Sequence, residues 1–432
     1  MFLSLKNLAI ETLFFSMKNG MIIMKQMEFA LISQPRRARM KIIILFLIFS
    51  FIPQIHAEDI YVTSLQNLSL AQKKGITLQT VSKNQSGLVA VKMTEKQRKT
   101  FAQVMHEEKH TCGGYTFAGT EYKADLLDQS LAKIFNFADF PVFDNKEIKN
   151  QVHVNKVRSL LSADRYKNYI QNLTDFPDRA ASSNNGVAAS TWIMDEVTRI
   201  KESFKAENLS AFYVSNSRYP QKSVVVTLEG LSAEKPGLVL GAHMDTLKRN
   251  KPGADDDASG SAAVLEVLQA VLSSKVKLDR SIYFILYSAE EVGLVGSRSV
   301  VNHFKNNKMQ VEAVMQLDMI GYQPTKSIQK MHFVTDNTNV SLNNYVKQLA
   351  KVYLNKTDAQ LLDLKCGYSC SDHARWHSAG FPATFPFESS FSDHNRSIHT
   401  SRDTISLVNI DHAMQFVHLA AAFVIELGEP LN

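Results

Sequence analysis

The stretch GLVLGAHMDTLKRNKPGADDDASGSAAVLEVLQAVL, residues 237–272, determines how the second half of the chain folds. It begins with a short apolar run, 237–242, of the length and composition typical of a buried strand. A polar loop with three consecutive aspartates follows, and residues 262–272 then carry apolar side chains at helical spacing. These features predict a strand, a polar connection and a packed helix.

The same alternation continues along the chain. Short apolar runs rich in β-branched residues occupy 223–228, 281–287 and 313–317, with helical patterns between them. Strands that alternate with helices pair mostly in parallel and are covered by helices on both faces. The sequence therefore predicts an α/β fold for residues 151–432, with a mixed, mostly parallel central sheet.

The first 57 residues have the order of a signal peptide. Basic residues at positions 36–41 precede an apolar run at 42–52, and the small residue Ala57 ends the segment. The run of 11 residues is shorter than the roughly 20 that a membrane-spanning helix needs. We expect cleavage after Ala57, secretion and no stable membrane anchor, and Met40 offers an alternative start.

The basic charge of the chain lies in this leader. The formal net charge is +6, of which the first 57 residues carry +5, while residues 151–432 sum to zero. The large C-terminal part therefore has no global field that would recruit nucleic acid. Residues 58–150 are predicted to form a small separate unit, because their helical pattern ends near Phe140.

Two motifs in the opening stretch carry groups that bind metals. His-Met-Asp at 243–245 follows the strand 237–242, and Asp-Asp-Asp at 255–257 lies in the next loop. A neutral imidazole is a good zinc ligand, and a carboxylate two residues away can accept the hydrogen of the other ring nitrogen. Three adjacent carboxylates repel one another unless a cation is present. A solvated helix start is the alternative for the triplet.

Three further motifs extend the pattern. Glu290-Glu291 follows the strand 281–287, Asp318 follows the next strand, and His399 lies near the C-terminus. One of two adjacent glutamates can bind a metal while the other accepts the proton of a metal-bound water. The carboxyl edge of such a sheet is where ligands bind. The joint pattern supplies two ligands unique to each of two metal ions, plus one shared carboxylate.

Five motifs in the second half of the chain are long enough to be compared with a known family. They are Pro-Gly-Ala-Asp-Asp-Asp-Ala-Ser-Gly at 252–260, Ser-Ala-Glu-Glu-Val-Gly at 288–293, Gln-Leu-Asp-Met at 316–319, Cys-Gly-Tyr-Ser-Cys-Ser-Asp-His at 366–373 and Ile-His-Thr at 398–400. On these motifs the sequence resembles the secreted bacterial leucyl aminopeptidases, co-catalytic di-zinc exopeptidases, over residues 150–430. The resemblance implies the zinc exopeptidase fold, a preceding pro-segment at 58–150, and two Zn²⁺ ions per chain. It also implies a monomer after processing that cleaves peptides and small proteins with free N-termini after apolar residues, with leucine preferred.

Carried over residue by residue, the resemblance implies five metal ligands: His243, Asp256, Glu291, Asp318 and His399. Asp256 would bridge the two zinc ions. His243 and Asp318 would complete one zinc site, and Glu291 and His399 the other.

The resemblance also implies how water would be activated. Glu290 would be the general base that takes a proton from a metal-bridging water, and Asp245 would support His243. Tyr368 would hydrogen-bond the substrate or the tetrahedral intermediate. The Asp256–Asp257 peptide is expected to be cis in this family, although a non-proline cis bond costs several kcal/mol.

An apolar substrate pocket is implied at six positions: Met319, Tyr368, Phe385, Phe387, Phe391 and Ile398. Core packing is the alternative for these residues, since most phenylalanines are simply buried. At His394 the family more often has an aromatic ring, which predicts a more polar pocket rim in this chain.

The three cysteines are too few for a disulfide framework. Cys366 and Cys370 could form one short-loop disulfide, since Gly367 permits a tight turn, or could bind a further metal. The resemblance implies the disulfide. Cys112 would then be a free thiol.

Other functions remain open at this stage. A glutaminyl cyclase shares the fold but uses one zinc ion, and a binding domain of the same fold would need no metal. A two-domain carboxypeptidase or deacylase would insert a lid domain between Glu291 and Asp318, which are only 27 positions apart. His106 to His110 match His-Glu-x-x-His, a possible zinc motif, but the glycines at 113 and 114 end any helix there.

Overall fold

The structure, a computed structural model, describes residues 59–84, 87–109, 113–119, 140–324 and 329–431. The predicted leader with Ala57, the thiol of Cys112, His110 and the His106 side chain lie outside these residues. The described residues within 58–432 form one compact body, so the segment 58–150 is not separate in the structure; it is called the N-terminal unit below. Its described part comprises β1 (Asp59–Ser64), α1 (Leu65–Lys73), β2 (Gln79–Lys83), β3 (Leu88–Met93), α2 (Glu95–Lys109) and β4 (Tyr115–Gly119). Its four strands form an antiparallel sheet in the order β2-β3-β1-β4.

The C-terminal part alternates helices and strands, as its sequence predicts. Its helices are α3 (Gln151–Arg158), α4 (Ala163–Thr174), α5 (Asn184–Phe204), α6 (Gly260–Ser274), α7 (Val295–Asn306), α8 (Val340–Leu354), α9 (His373–Ser378) and α10 (Ile410–Leu427). Its strands are β5 (Leu209–Val214), β6 (Ser223–Leu228), β7 (Gly237–His243), β8 (Ile282–Tyr287), β9 (Val311–Gln316), β10 (Met331–Val334), β11 (Leu361–Leu364), β12 (Ala383–Thr384) and β13 (Pro386–Phe387).

Six of these strands form the central sheet, in the order β12-β9-β7-β8-β6-β5. The pairs β12–β9, β9–β7 and β7–β8 are parallel, whereas β6 runs antiparallel to both of its neighbours. The predicted mixed, mostly parallel sheet is therefore confirmed. A small sheet of β11, β10 and β13 lies beside it.

Apolar side chains fill both faces of the central sheet. Every residue of β7 is buried, because helices α6 and α10 pack on one face and α7 with α9 on the other. Helix α10 is long and apolar enough to cross a membrane by length and composition alone, but 78% of it is buried inside this body, which makes it a core helix. With β7 central, its carboxyl end and those of β8 and β9 meet at one sheet edge.

Candidate metal centre

The predicted ligands converge at this carboxyl edge. His243 is the last residue of β7, while Glu291 and Asp318 follow the adjacent strands β8 and β9. Asp256 comes from the loop between β7 and α6, and His399 comes from the loop before α10. His243, Asp256, Glu291 and Asp318 are each less than 9% exposed. Strand order thus brings together residues that are up to 156 positions apart in the sequence.

Asp256 lies at the middle of this group. One of its carboxylate oxygens is 3.1 Å from Nε2 of His243, and the other is 3.0 Å from Nε2 of His399. Asp318 lies 3.6 Å from the same His243 nitrogen, and Glu291 lies 2.9 Å from the same His399 nitrogen. The five residues therefore form two compartments that share one carboxylate, the grouping that the sequence resemblance implies.

The side chains of this group fit divalent cations. Two imidazole nitrogens and three carboxylates are the donor types that bind zinc. Burial works against the charged form of Asp256, yet hydrogen bonds from His243 and His399 hold the pKa of this carboxyl below its usual range. Burial likewise opposes the charging of His243, but Asp318 raises the pKa of this imidazole well above its usual value. Acidic side chains thus surround His243, and His399 likewise lies between the carboxylates of Asp256 and Glu291.

Asp257 is close to His243 and Asp318, but its oxygens are already engaged. One oxygen accepts hydrogen bonds from the backbone amides of Gly260 and Met319, at 2.8 and 3.3 Å. The other accepts the amide hydrogen of His243 at 3.1 Å. Asp257 therefore connects the ends of β7 and β9 to the start of α6, and Asp256 is the carboxylate directed at the histidines. The peptide bond between them is cis, as the resemblance implies.

Asp245 contacts His243 differently from the expectation. Its carboxylate is 3.7 Å from Nδ1 of His243, too far for a hydrogen bond, and its backbone carbonyl is the partner of that nitrogen at 3.1 Å. The carboxylate instead accepts the amide hydrogens of Glu290, at 2.9 Å, and Glu291, at 3.3 Å. Asp245 therefore fixes the histidine through its main chain and the glutamate pair through its side chain.

The two adjacent glutamates have different surroundings. Both line a small cavity together with Tyr115 and Tyr368, but Glu291 also contacts Nε2 of His399, at 2.9 Å. Burial raises the pKa of Glu290 well above its usual value, and the nearby charges of Asp372 and Asp318 add to this effect. Burial raises the pKa of Glu291 as well, so the contact with His399 is what separates the two glutamates, and Glu290 remains the candidate for proton transfer.

The six predicted pocket residues line one cavity beside Asp318: Met319, Tyr368, Phe385, Phe387, Phe391 and Ile398. His394 lies on the same wall, where its Nδ1 is 2.7 Å from the carbonyl of Phe391. Cys366 and Cys370 form a disulfide around Tyr368, which confirms the predicted pairing. The apolar pocket and the metal centre are therefore adjacent.

Sequence reasoning missed two side chains that support the ligands. Ser371 donates a hydrogen bond of 2.6 Å to Asp318, and Asp403 accepts the amide hydrogens of Asp255 and Asp256 at 3.1 Å each. Asp403 lies 147 positions from Asp256. Spacing does not reveal such a pair, because the contact depends on how two loops pack.

The N-terminal unit covers the glutamate loop. Gly113 and Tyr115 line the same cavity as Glu290, and the amide of Phe117 donates to the carbonyl of Gly293 at 3.0 Å. The partly buried guanidinium of Arg375 donates to the carbonyls of Phe117, at 2.6 Å, and Gly293, at 3.1 Å. The N-terminal sheet is thus fastened beside the catalytic-base candidate.

A buried centre of carboxylates and histidines at the carboxyl edge of an α/β sheet is typical of metal-dependent enzymes, hydrolases among them. The model of peptidase family M28 matches residues 223–424. The probable leucine aminopeptidase of Trichophyton verrucosum is 32% identical over 66% of this chain and 79% of its own length. The leucine aminopeptidase 1 of Ajellomyces capsulatus is 31% identical over 70% of this chain and 82% of its own. The chain belongs to peptidase family M28.

Solved structures agree with this family. The LapA aminopeptidase of Legionella pneumophila is 34% identical, with a TM-score of 0.78, over 87% of this chain and 99% of its own. A glutaminyl cyclase from Porphyromonas gingivalis, at 17% identity and a TM-score of 0.51 over 61% of this chain and 98% of its own, shares the fold. The predicted fold and family are therefore confirmed, and the relatives that are 31–34% identical to this chain are named as aminopeptidases or probable aminopeptidases.

Replacing Asp245 with Asn should weaken metal binding. The amide can accept through its oxygen only, so one of the Glu290 and Glu291 amides loses its acceptor and the glutamate loop shifts. Loss of such a support typically costs about 10–100-fold in metal affinity. Titration with zinc against a chromophoric chelator measures this change. Unchanged affinity in Asp245→Asn would show that the glutamate loop keeps its position without the second acceptor.

Proposed function

We propose that this chain is a secreted di-zinc aminopeptidase that removes apolar residues, leucine above all, from the N-termini of peptides. The observation that carries the proposal is the carboxylate of Asp256, whose two oxygens face two different histidines. Each histidine has its own carboxylate partner, Asp318 or Glu291. His243 and Asp318 would hold one zinc ion, Glu291 and His399 the other, and Asp256 both.

Zinc, when bound, would polarise the scissile carbonyl and make a bound water acidic. Glu290 would accept the proton of the attacking water and then deliver it to the leaving amine. Its amide is held by Asp245, so its side chain starts from a fixed point. Tyr368 lines the cavity of Glu290 and the apolar pocket alike, so its hydroxyl could orient the substrate between them.

The pocket beside Asp318 would bind the N-terminal side chain. Phe385 and Phe387 are each no more than 3% exposed and meet edge to face at 5.7 Å. An aliphatic side chain gains from leaving water for such walls, whereas a charged one would lose its hydration without a partner. This difference supports a preference for leucine.

The N-terminal unit supports the proposal of a secreted zymogen. It contributes Gly113 and Tyr115 to the cavity of Glu290, where they would compete with substrate. An ion pair between Asp59, in β1, and Arg218 attaches the N-terminal unit at a second point. Export through the leader at 1–57 and removal of the unit would then deliver the active enzyme outside the cell.

Replacing Glu290 with Gln should lower kcat by about 10²–10⁴-fold, the usual contribution of a positioned general base. The zinc content should stay at the parent level, because Asp256, Asp318 and Glu291 supply the carboxylates that face the two histidines. Glu291→Gln is the matched variant and should lose zinc instead. Steady-state kinetics and metal analysis of both proteins decide the assignment, and loss of zinc from Glu290→Gln alone would reverse it.

Along the series of alanine, norvaline and leucine p-nitroanilides, kcat/KM should rise. Each buried methylene contributes about 0.8 kcal/mol, or roughly fourfold in rate. Aspartyl and lysyl anilides serve as controls, since they place a charge in the same pocket. Turnover of either control faster than that of the leucyl substrate would contradict an apolar pocket.

The form that starts at residue 58 should be less active than the form that starts near Val152. In the longer form, Arg218→Ala should raise activity, because it removes the charged pair with Asp59. Arg199→Ala is the control, since Arg199 pairs with Glu196 on an exposed helix surface. Rates for leucine p-nitroanilide measure the effect. Equal activity of the two forms would rule out inhibition by the N-terminal unit.

A further inference from the structure

Arg179 is a fully buried cation close to the metal centre that the mechanism above does not use. It lies in the connection between α4 and α5, and its side chain is 0% exposed. Burying a guanidinium is costly unless its donors are satisfied and its charge is balanced. The hydrogen-bond partners of the Arg179 guanidinium therefore indicate its structural role.

Its guanidinium donates to four backbone carbonyls. Three of them belong to the loop that connects His243 to the aspartate triplet: Met244 at 2.8 Å, Pro252, and Gly253 at 2.9 Å. The fourth is Leu173, at 3.1 Å, at the end of α4. The backbone amide of Arg179 also donates to Thr246 in the same loop at 2.9 Å. One residue thus holds both ends of the loop.

The loop is tight where Arg179 holds it. Gly253 has a left-handed backbone with φ of 56°, and a Cβ there would lie 2.3 Å from the carbonyl oxygen of Asp256. The same Cβ would lie 3.2 Å from a guanidinium nitrogen of Arg179. The segment around Gly253 is therefore too tightly packed to accept a side chain at this position. The Gly253 carbonyl that Arg179 binds lies only three residues before Asp256, whose carboxylate faces both histidines.

The charge of Arg179 also complements its surroundings. Burial lowers the pKa of its guanidinium to about 10, while the negative charges of Asp257 and Asp403 act in the opposite direction. The group therefore stays charged at neutral pH. Asp257 and Asp403, whose negative charges favour the charged guanidinium, also bind the backbone amides of His243 and Asp256, so Arg179 offsets part of the mutual repulsion of these acids.

We infer that Arg179 is a positioning residue that holds the 244–257 loop so that Asp256 presents its two oxygens to two zinc ions. This inference rests on the proposed di-zinc function. A planar fork of five donors suits several carbonyls at once, whereas lysine carries the same charge with a compact ammonium group. Lysine at this position should therefore keep the positive charge but lose most of the hydrogen bonds to the loop carbonyls.

The test uses Arg179→Lys and Arg179→Met in the full chain, with Arg280→Lys and Arg280→Met as matched controls. Arg280 is also largely buried and donates to the carbonyl of Pro236 and to Glu429, but at the opposite end of β7 and β8. Zinc affinity is measured by chelator competition. The zinc-dependent rise in melting temperature is a second measurement, because it reports binding to the folded state.

Arg179→Lys should bind zinc about 10–100-fold more weakly than the parent, and its zinc-dependent rise in melting temperature should shrink. The Arg280 variants should melt earlier without zinc but keep the parent's zinc affinity. Parent-like zinc affinity in Arg179→Lys would overturn the inference. Failure of both Arg179 variants to fold would also overturn it, because Arg179 would then be a folding requirement. A parent that binds no zinc pair would instead refute the proposed function.

Discussion

The structure depends on keeping a dense group of buried carboxylates stable at the carboxyl edge of one sheet. Ten acidic side chains lie together there, each no more than 8% exposed: Asp245, Asp255, Asp256, Asp257, Glu290, Glu291, Asp318, Asp372, Glu388 and Asp403. Burying one unpaired carboxylate costs several kcal/mol, and like charges add repulsion. The rest of the site follows from the ways in which the chain offsets this cost.

Backbone amides do much of this work. Asp245, Asp257 and Asp403 each accept at least two amide hydrogens, so their carboxylates hold the backbone of the surrounding loops in place. The carboxylates of Asp256, Glu291 and Asp318 face His243 and His399 instead, and they form the two compartments. The division between supporting and ligating acids thus arises from hydrogen bonding and not from residue type. This division explains why Asp256 faces both histidines whereas Asp257, which binds backbone amides, does not.

Much of this could be predicted from sequence, because the relevant signals are local. Strands β6 to β9 appear as apolar runs, and each predicted ligand lies next to a strand or inside a distinctive motif. Long-range contacts could not be predicted in this way. The partner of the Asp245 carboxylate, the support from Asp403 and the clamp by Arg179 each join loops that only the packed fold brings together. The two-residue strands β12 and β13 are too short to leave a pattern.

The proposed chemistry depends on two metal ions that share the carboxylate of Asp256. Native mass spectrometry of the folded, zinc-saturated chain counts the ions bound to each molecule. We expect a dominant species with two zinc ions, and Asp256→Asn should reduce that species. A chain that saturates at a single zinc ion would contradict the shared carboxylate and favour a one-metal enzyme of the same fold.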